Sequence, residues 1–376
     1  MSNEFILIVA WKPVSRQYGW QPTPARISKV KISTTMLLDS GSSVSGIYDL
    51  RLIMSKKSMA TLIIKTDNSN NVLAFECDGG AAKSKQLATG DKFSITALWS
   101  YKNKILFVGD SKIVVRDMDQ GGKDIWSYDT AYSSKGFGLS NWSCSSRYMS
   151  AANSRVCIIF TSKIDSNQEL LYFDMAGLTY SPPVSPKPEI IARNVSFAAV
   201  DDRNTTMVYW IDDKKIGISR DKKEPISIVD VACLDESEHL MLNCLQPTGC
   251  WILAAGSIKG PSSMTNDFFL FSKKSMSYKH RLSLPCINGK YQPNKLAAAV
   301  IDKVSVVSIV NMFWYMTVVV ISDNKLHLIA EKCDTNGDNE STQNYGIAAT
   351  AWKNQLDVYV AGCSGTFLNR ITINMP

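Results

Sequence analysis

Ile95-Thr96-Ala97-Leu98-Trp99, then Ile105-Leu106-Phe107-Val108, then Lys112-Ile113-Val114-Val115 follow one another with only short polar breaks between them. Each run is short, rich in β-branched or aromatic residues and bounded by turn formers, the pattern of antiparallel strands joined by tight hairpins. The same order returns in Phe197-Ala198-Ala199-Val200, Met207-Val208-Tyr209-Trp210 and Lys215-Ile216-Gly217-Ile218. It returns again in Ile347-Ala348-Ala349-Thr350-Ala351-Trp352, Val358-Tyr359-Val360 and Phe367-Leu368. Looser copies stand at 47–52, 61–64 and 72–75; at 139–143, 156–160 and 170–173; at 229–234 and 268–271; and at 296–300, 317–321 and 326–329. Seven units at a period of roughly 40 to 60 residues mark a repeat architecture.

A single meander cannot bury both of its faces, so neighbouring units must stack, and radial stacking leaves only short edges exposed. The expectation is an all-β chain, a β-propeller of about seven four-stranded blades. Small residues recur on the first strand of the units (Ala97, Ala198-Ala199, Ala297-Ala298-Ala299, Ala348-Ala349), as a wedge requires at its narrow inner end. Residues 6–11 have no unit of their own before the linker 12–39, and the last unit lacks one strand. The N-terminal strand is therefore expected to close the ring as the outer strand of the last blade. Residues 1–376 read as one domain, with Ser181-Pro182-Pro183-Val184-Ser185-Pro186 an interblade loop.

With 45% hydrophobic and 20% charged residues among 376, the composition is that of a globular chain and excludes wholesale disorder. The net charge of +7 comes from 41 Lys and Arg scattered among 34 Asp and Glu, without the clustering that a nucleic-acid surface needs. No nucleic-acid partner is expected. The apolar stretch 304–320 is interrupted by Ser305, Ser308 and Asn311 and is too short and polar for a membrane span. The N-terminus has no basic segment followed by an apolar one, so the chain reads as cytoplasmic, its nine cysteines reduced.

His239, His280 and His327 share no metal-like spacing, and no metal is expected. No GxSxG, GxGxxG or P-loop occurs, so neither a serine triad nor a bound nucleotide is implied, and no cofactor is expected. Asp334-Thr335-Asn336-Gly337-Asp338 opens like a calcium loop but lacks the acidic twelfth position and reads as a hairpin loop. What is left is a set of aromatic and charged groups at the ends of the first strands. Trp99, Trp142 and Trp352 fall at comparable places, with Asp201 and Asp202, and Tyr101, Arg203 and Lys353 follow closely. In a propeller such positions border the axial channel, where a small apolar molecule finds a pocket with a few polar groups; the same tryptophans can also simply pack between blades. Trp314 and Tyr315, in what reads as an inserted segment, are placed to roof one mouth.

The Ile-Ala-Ala-x-x-Trp run followed by a Val-Tyr strand, as in 347–352 with Val358-Tyr359 and 197–200 with Val208-Tyr209, resembles the blade of the fungal fucose-specific lectins. The resemblance implies sugar sites built on an Arg before the Val-Tyr pair and a Glu on the next strand. Leu106, Met207 and Asp357 occupy the Arg place, and Arg155 alone fits it. Near the Glu place stand Phe75, Val115 and Ile218, with Glu76 one residue away and so on the other face. A lectin-like propeller without repeated sugar sites is similar to the propeller-type hetero-Diels–Alderases of fungal tropolonic sesquiterpenoid pathways. That likeness implies a cofactor-independent pericyclase joining a quinone methide to an apolar terpene by proximity and hydrogen bonding. In that reading Trp99, Trp142, Trp352, Asp201, Trp314 and Tyr315 bind substrate, and Lys353, Arg203 and Tyr101 act as donors. A fucose-type lectin and a protein-interaction propeller are the alternatives.

Overall fold

The computed structural model describes residues 2–8, 27–38, 47–54, 60–66, 72–77, 83–88, 95–109, 112–120, 122–129, 132–133, 149–152, 154–162, 168–193, 197–200, 207–212, 215–219, 227–230, 238–259, 264–275, 277–285, 293–301, 304–311, 315–334, 343–352, 355–363 and 367–374. Its strands run from β1 (Ser2–Ile8) and β2 (Ile27–Leu38) into a series of antiparallel meanders. The first comprises β3 (Ile47–Met54), β4 (Ala60–Thr66), β5 (Val72–Cys77) and β6 (Lys83–Ala88). The second comprises β7 (Ile95–Tyr101), β8 (Lys104–Gly109), β9 (Lys112–Asp117) and β10 (Lys123–Asp129). The third holds β11 (Tyr132–Ser133), β12 (Met149–Ala152), β13 (Arg155–Ser162), β14 (Gln168–Asp174) and β15 (Glu189–Arg193), with a 3-10 turn, Met175–Thr179, after β14. The fourth is β16 (Phe197–Val200), β17 (Met207–Asp212), β18 (Lys215–Ser219) and β19 (Ser227–Asp230). The fifth is β20 (His239–Thr248), β21 (Trp251–Lys259), β22 (Met264–Ser272) and β23 (Ser277–Pro285), and the sixth is β24 (Pro293–Ile301), β25 (Val304–Asn311), β26 (Tyr315–Ser322) and β27 (Lys325–Asp334). The seventh joins β28 (Gln343–Trp352), β29 (Gln355–Cys363) and β30 (Phe367–Asn374) to β2 and, beyond it, β1.

Alternation along the central strands explains how the sheets stack. In β22, Phe268 and Leu270 join a core cluster with Val307 and Val319 of the sixth sheet, whereas Phe269 and Phe271 join one with Ala199 of the fourth. The neighbouring strand β21 divides in the same way, Leu253 and Ala255 to one side and Ile252 and Ala254 to the other. A strand buried on both faces therefore reads as an unbroken apolar run, while outer strands such as β10 expose much of one face. The first strands pack against one another in succession: β28 against β3, β3 against β7, and β16, β20, β24 and β28 in turn. Alanines on these strands give the close approach expected of a wedge's inner edge: Ala97, Ala199 and Ala348 are buried, and Ala297, Ala299, Ala349 and Ala351 pack against the core cluster shared by the sixth and seventh sheets.

Several expectations need correction. The strand beside β30 is β2, which lies inside the expected linker; β1 pairs outside it, seven residues in register. Val30, Ile32, Thr34 and Met36 alternate with Lys29, Lys31, Ser33 and Thr35, a true period-two pattern hidden by its lysines and serines. In the third sheet the strand next to β13 is β12, not residues 139–143, which lie outside the described residues. Val229 belongs to β19, the outer strand of the fourth sheet, and the fifth sheet opens only at His239. The apolar stretch 304–320 is the hairpin β25–β26, so no segment is inserted there.

Candidate functional site

The place where each first strand turns into the second is fixed by register. The last paired residues of the first strands are Met54, Tyr101, Ala152, Val200, Thr248, Ile301 and Trp352. Trp352 is thus equivalent to Tyr101, not to Trp99. Trp99 pairs with Leu106, the level occupied by Thr350 in the seventh sheet. The expected three-tryptophan level does not form among the described residues, because the turn sets the register and Trp99 stands two residues farther from it than Trp352. Tyr315 opens β26, paired with Asp334, at the opposite end of the sheets. Across a strand of that length it lies about 25 Å away from the first turns. Trp142, Trp314, Asp201, Asp202, Arg203 and Lys353 lie outside the described residues.

Around Tyr101 the geometry is specific. Trp99 and Tyr101 are half-buried and pack against the cluster that contains Leu106, Val115, Val156 and Leu170, so both rings rest on the joint between the second and third sheets. The turn at Lys102 has a positive φ of 53°, and the Lys102 ammonium lies 5.3 Å from the centre of the Tyr101 ring. The same ammonium donates to Thr179 Oγ1 at 3.5 Å, linking this turn to the connection between β14 and β15 of the next sheet.

Beneath the turn lies a buried polar knot. Lys104 Nζ sits 3.0 Å from Asp117 Oδ2 and donates to Asn103 Oδ1 at 3.2 Å. Asn103 Nδ2 donates to Asp117 Oδ1 at 3.0 Å and to Asp119, and the Asp119 amide and Gln120 Nε2 also donate to Asp117. Burial pushes the Asp117 carboxyl up, but the hydrogen bonds from Lys104, the Asp119 amide and Gln120, with the Lys104 charge, outweigh it and hold the group below the usual range. The knot fixes the Lys102–Asn103 turn, so the half-buried Trp99 and Tyr101 and the exposed ammonium are presented on rigid elements.

Two other polar groups are structural. Arg281 Nε lies 2.6 Å from Asp267 Oδ1, and its terminal nitrogens reach both oxygens of Glu238 at 3.1 and 3.3 Å. Thr265 and Ser283 hydroxyls donate to Asp267, which is fully buried, and the guanidinium lies 5.7 Å from the centre of the Phe269 ring. Burial lowers the Arg281 pKa, but the hydrogen bonds and charges of Glu238 and Asp267 more than offset this and hold it above its ordinary value. His280 and His327, on outer strands β23 and β27 of adjacent sheets, interact although nothing in their spacing suggests it. Burial, then the charges of His327 and Lys325, push His280 below its ordinary pKa, and its Nδ1 accepts from the Leu326 amide at 3.3 Å. Among the described residues no group of three or more His, Cys, Asp or Glu is placed to hold a metal ion.

Arg155 is the first paired residue of β13, the level of Met207 in the fourth sheet, whereas Leu106 and Asp357 stand two positions further along their strands, so the places that read as one in the sequence fall at two levels. No helix among the described residues is long and apolar enough to cross a membrane.

No protein-family model matches the sequence, and no curated protein matches it. Solved structures do resemble the fold. The N-terminal domain of Nup159 aligns at 10% identity over 91% of this chain and 96% of its own, with a TM-score of 0.53. The Neurospora crassa Pan2 WD40 domain aligns at 10% identity over 91% of this chain and 95% of its own, with a TM-score of 0.51. Oligogalacturonate lyase in complex with manganese aligns at 10% identity over 93% of each chain, with a TM-score of 0.59. At that identity the likeness concerns architecture alone, and together with the antiparallel four-stranded sheets it shows that this chain has a β-propeller fold.

Proposed function

We propose that the sheets form a closed seven-bladed ring, sealed by β2 and β1, that binds a small apolar molecule at the mouth bordered by the first turns. The observation that carries this is a repeated turn. Tyr101 in the second sheet and Trp352 in the seventh share one register position, on the two sheets flanking the first, and in the sequence each is followed by Lys-Asn. Two aromatic residues at one register level, each followed by a lysine in the sequence, suit an apolar ligand carrying an acceptor oxygen. The resemblance to propeller-type hetero-Diels–Alderases supplies the reaction: cycloaddition of a quinone methide to an apolar polyene, with the aromatic faces holding the partners and an ammonium polarising the heterodiene oxygen. Such a site works by orientation and charge stabilisation at the developing oxyanion, each a recognised contribution to rate.

The test uses Lys102→Gly and Tyr101→Ala in ligand titrations by tryptophan fluorescence, and in turnover with a quinone methide generated in situ. Glycine at 102 removes the ammonium yet suits the positive φ, so the fold should be kept while turnover falls at least tenfold. Unchanged turnover in both variants would sink the mouth as the site.

A second reading, a protein-interaction propeller, rests on a separate observation. Tyr180, Val184 and Ile190 account for three of the five exposed large hydrophobic side chains among the described residues, all within the β14–β15 connection and the start of β15. Lys102 and Lys187 are exposed beside or within that connection, so the partner would be a peptide pairing apolar side chains with acidic ones. Acidic-apolar peptides selected on the wild-type protein should lose binding to Tyr180→Ser/Val184→Ser if this reading holds.

A further inference from the structure

We propose that Ser185 is a phosphorylation site for a proline-directed serine/threonine kinase, independent of either functional reading above. The sequence around it is Pro183-Val184-Ser185-Pro186-Lys187-Pro188. Proline after the acceptor serine has no amide N–H and a fixed φ. A cleft that offers no hydrogen-bond acceptor at that place takes proline without loss and penalises any other residue, whose amide would be left unsatisfied. Proline two places before the serine helps to hold the chain extended.

The structure presents this segment as a substrate must be presented. Gly177 closes the first part of the connection: its carbonyl accepts from the Tyr180 amide at 3.1 Å and from the Val184 amide at 2.9 Å. A side chain at 177 would meet the Val184 carbonyl at 2.6 Å, so glycine permits that closure. Ser181, also exposed and also followed by a proline, lies inside the folded-back part, between the two amides that bond to Gly177. Ser185 lies just beyond it, exposed, and residues 183–188 have no regular structure before β15 begins at Glu189. A kinase therefore reaches Ser185 from the end where the chain runs free towards the outer strand, without opening the sheet.

In the reaction Ser185 Oγ attacks the γ-phosphorus of Mg·ATP, the bond to the bridging β–γ oxygen breaks, ADP leaves, and the hydroxyl proton passes to the kinase's carboxylate base. The product carries a charge of about −1.5 to −2 two residues from the exposed Lys187.

The experiment incubates the purified full chain with a proline-directed kinase and Mg·ATP, in parallel with a synthetic peptide of residues 180–190, and maps phosphate by tandem mass spectrometry. Expected is phosphate at Ser185 in both, confined to Ser185 in the folded chain, with at least a tenfold loss in Ser185→Ala and no loss in Ser181→Ala. Phosphate at Ser181 or elsewhere that persists in Ser185→Ala overturns the assignment. So does a peptide that is phosphorylated while the folded chain is not, or failure of both.

Discussion

Arg281 is held between two carboxylates, and removing it should expose how much of the fifth sheet depends on that charge. In Arg281→Met the methionine keeps contact with Phe269, but Asp267 stays fully buried with only the hydroxyls of Thr265 and Ser283 as donors. Breaking a buried pair by removing one partner costs about 3–5 kcal/mol, since an uncompensated charge is left behind. With an unfolding entropy of roughly 2.1 cal/mol/K per residue, a chain of 376 residues has about 0.8 kcal/mol/K in all, so Tm should fall by about 4–6 °C. Asp267→Asn keeps an acceptor and leaves the Glu238 fork intact, and should cost about 1–2 kcal/mol. The double variant should cost clearly less than the sum, with a coupling energy of about 1.5–3 kcal/mol. Thermal melts of the four proteins in one buffer give the cycle, and losses unrelated to the pair, such as the Phe269 stacking, cancel in it. A coupling below about 0.5 kcal/mol would refute the reasoning that the pair acts as a unit.

Gly256→Ala should destabilise by about 1–3 kcal/mol, because the added carbon would meet the Met241 carbonyl at 2.3 Å and the Leu242 Cα at 3.0 Å, both main-chain atoms that cannot swing aside; a denaturant midpoint equal to wild type would contradict this. His280 is depressed in the fold, so the stability it gives is complete above the ordinary histidine pKa of about 6.5 and is lost as pH falls below it. His280→Asn keeps a neutral acceptor for the Leu326 amide, and the stability gap between wild type and this variant should therefore shift in the variant's favour from pH 7.5 to pH 5.5, as read by urea titration. Brief alkylation of the native protein should label the exposed Cys250 and spare Cys157 and Cys244, which are buried, the Cys157 thiol being pushed far up by burial; rapid labelling of Cys157 without unfolding would count against the burial described.

The sequence by itself determined that this chain is built of repeated antiparallel meanders. A hairpin is a local object: Ile105-Leu106-Phe107-Val108 and Lys112-Ile113-Val114-Val115 carry their strand propensity and their turn within a few residues, so reading them needs no distant partner. Alanine on the inner strands is legible for the same reason, since crowding near an axis selects small side chains in each unit separately. Register was not legible. Trp99 and Trp352 look equivalent because both follow small residues, yet the turn, not the preceding alanines, sets which residues stand at one level, and a two-residue offset moves the ring one step along the ladder. The strand β2 was missed because lysines, serines and threonines alternate with its apolar residues, so that it imitates a linker. Only tertiary structure decided the rest. It set Lys102 against Thr179, His280 near His327, and Arg281 between Asp267 and Glu238, pairs that lie 77, 47, 14 and 43 residues apart or bridge neighbouring sheets. Contacts of that kind follow from how the sheets stack, and stacking is fixed by the fit of whole faces, a property that no local stretch of chain contains.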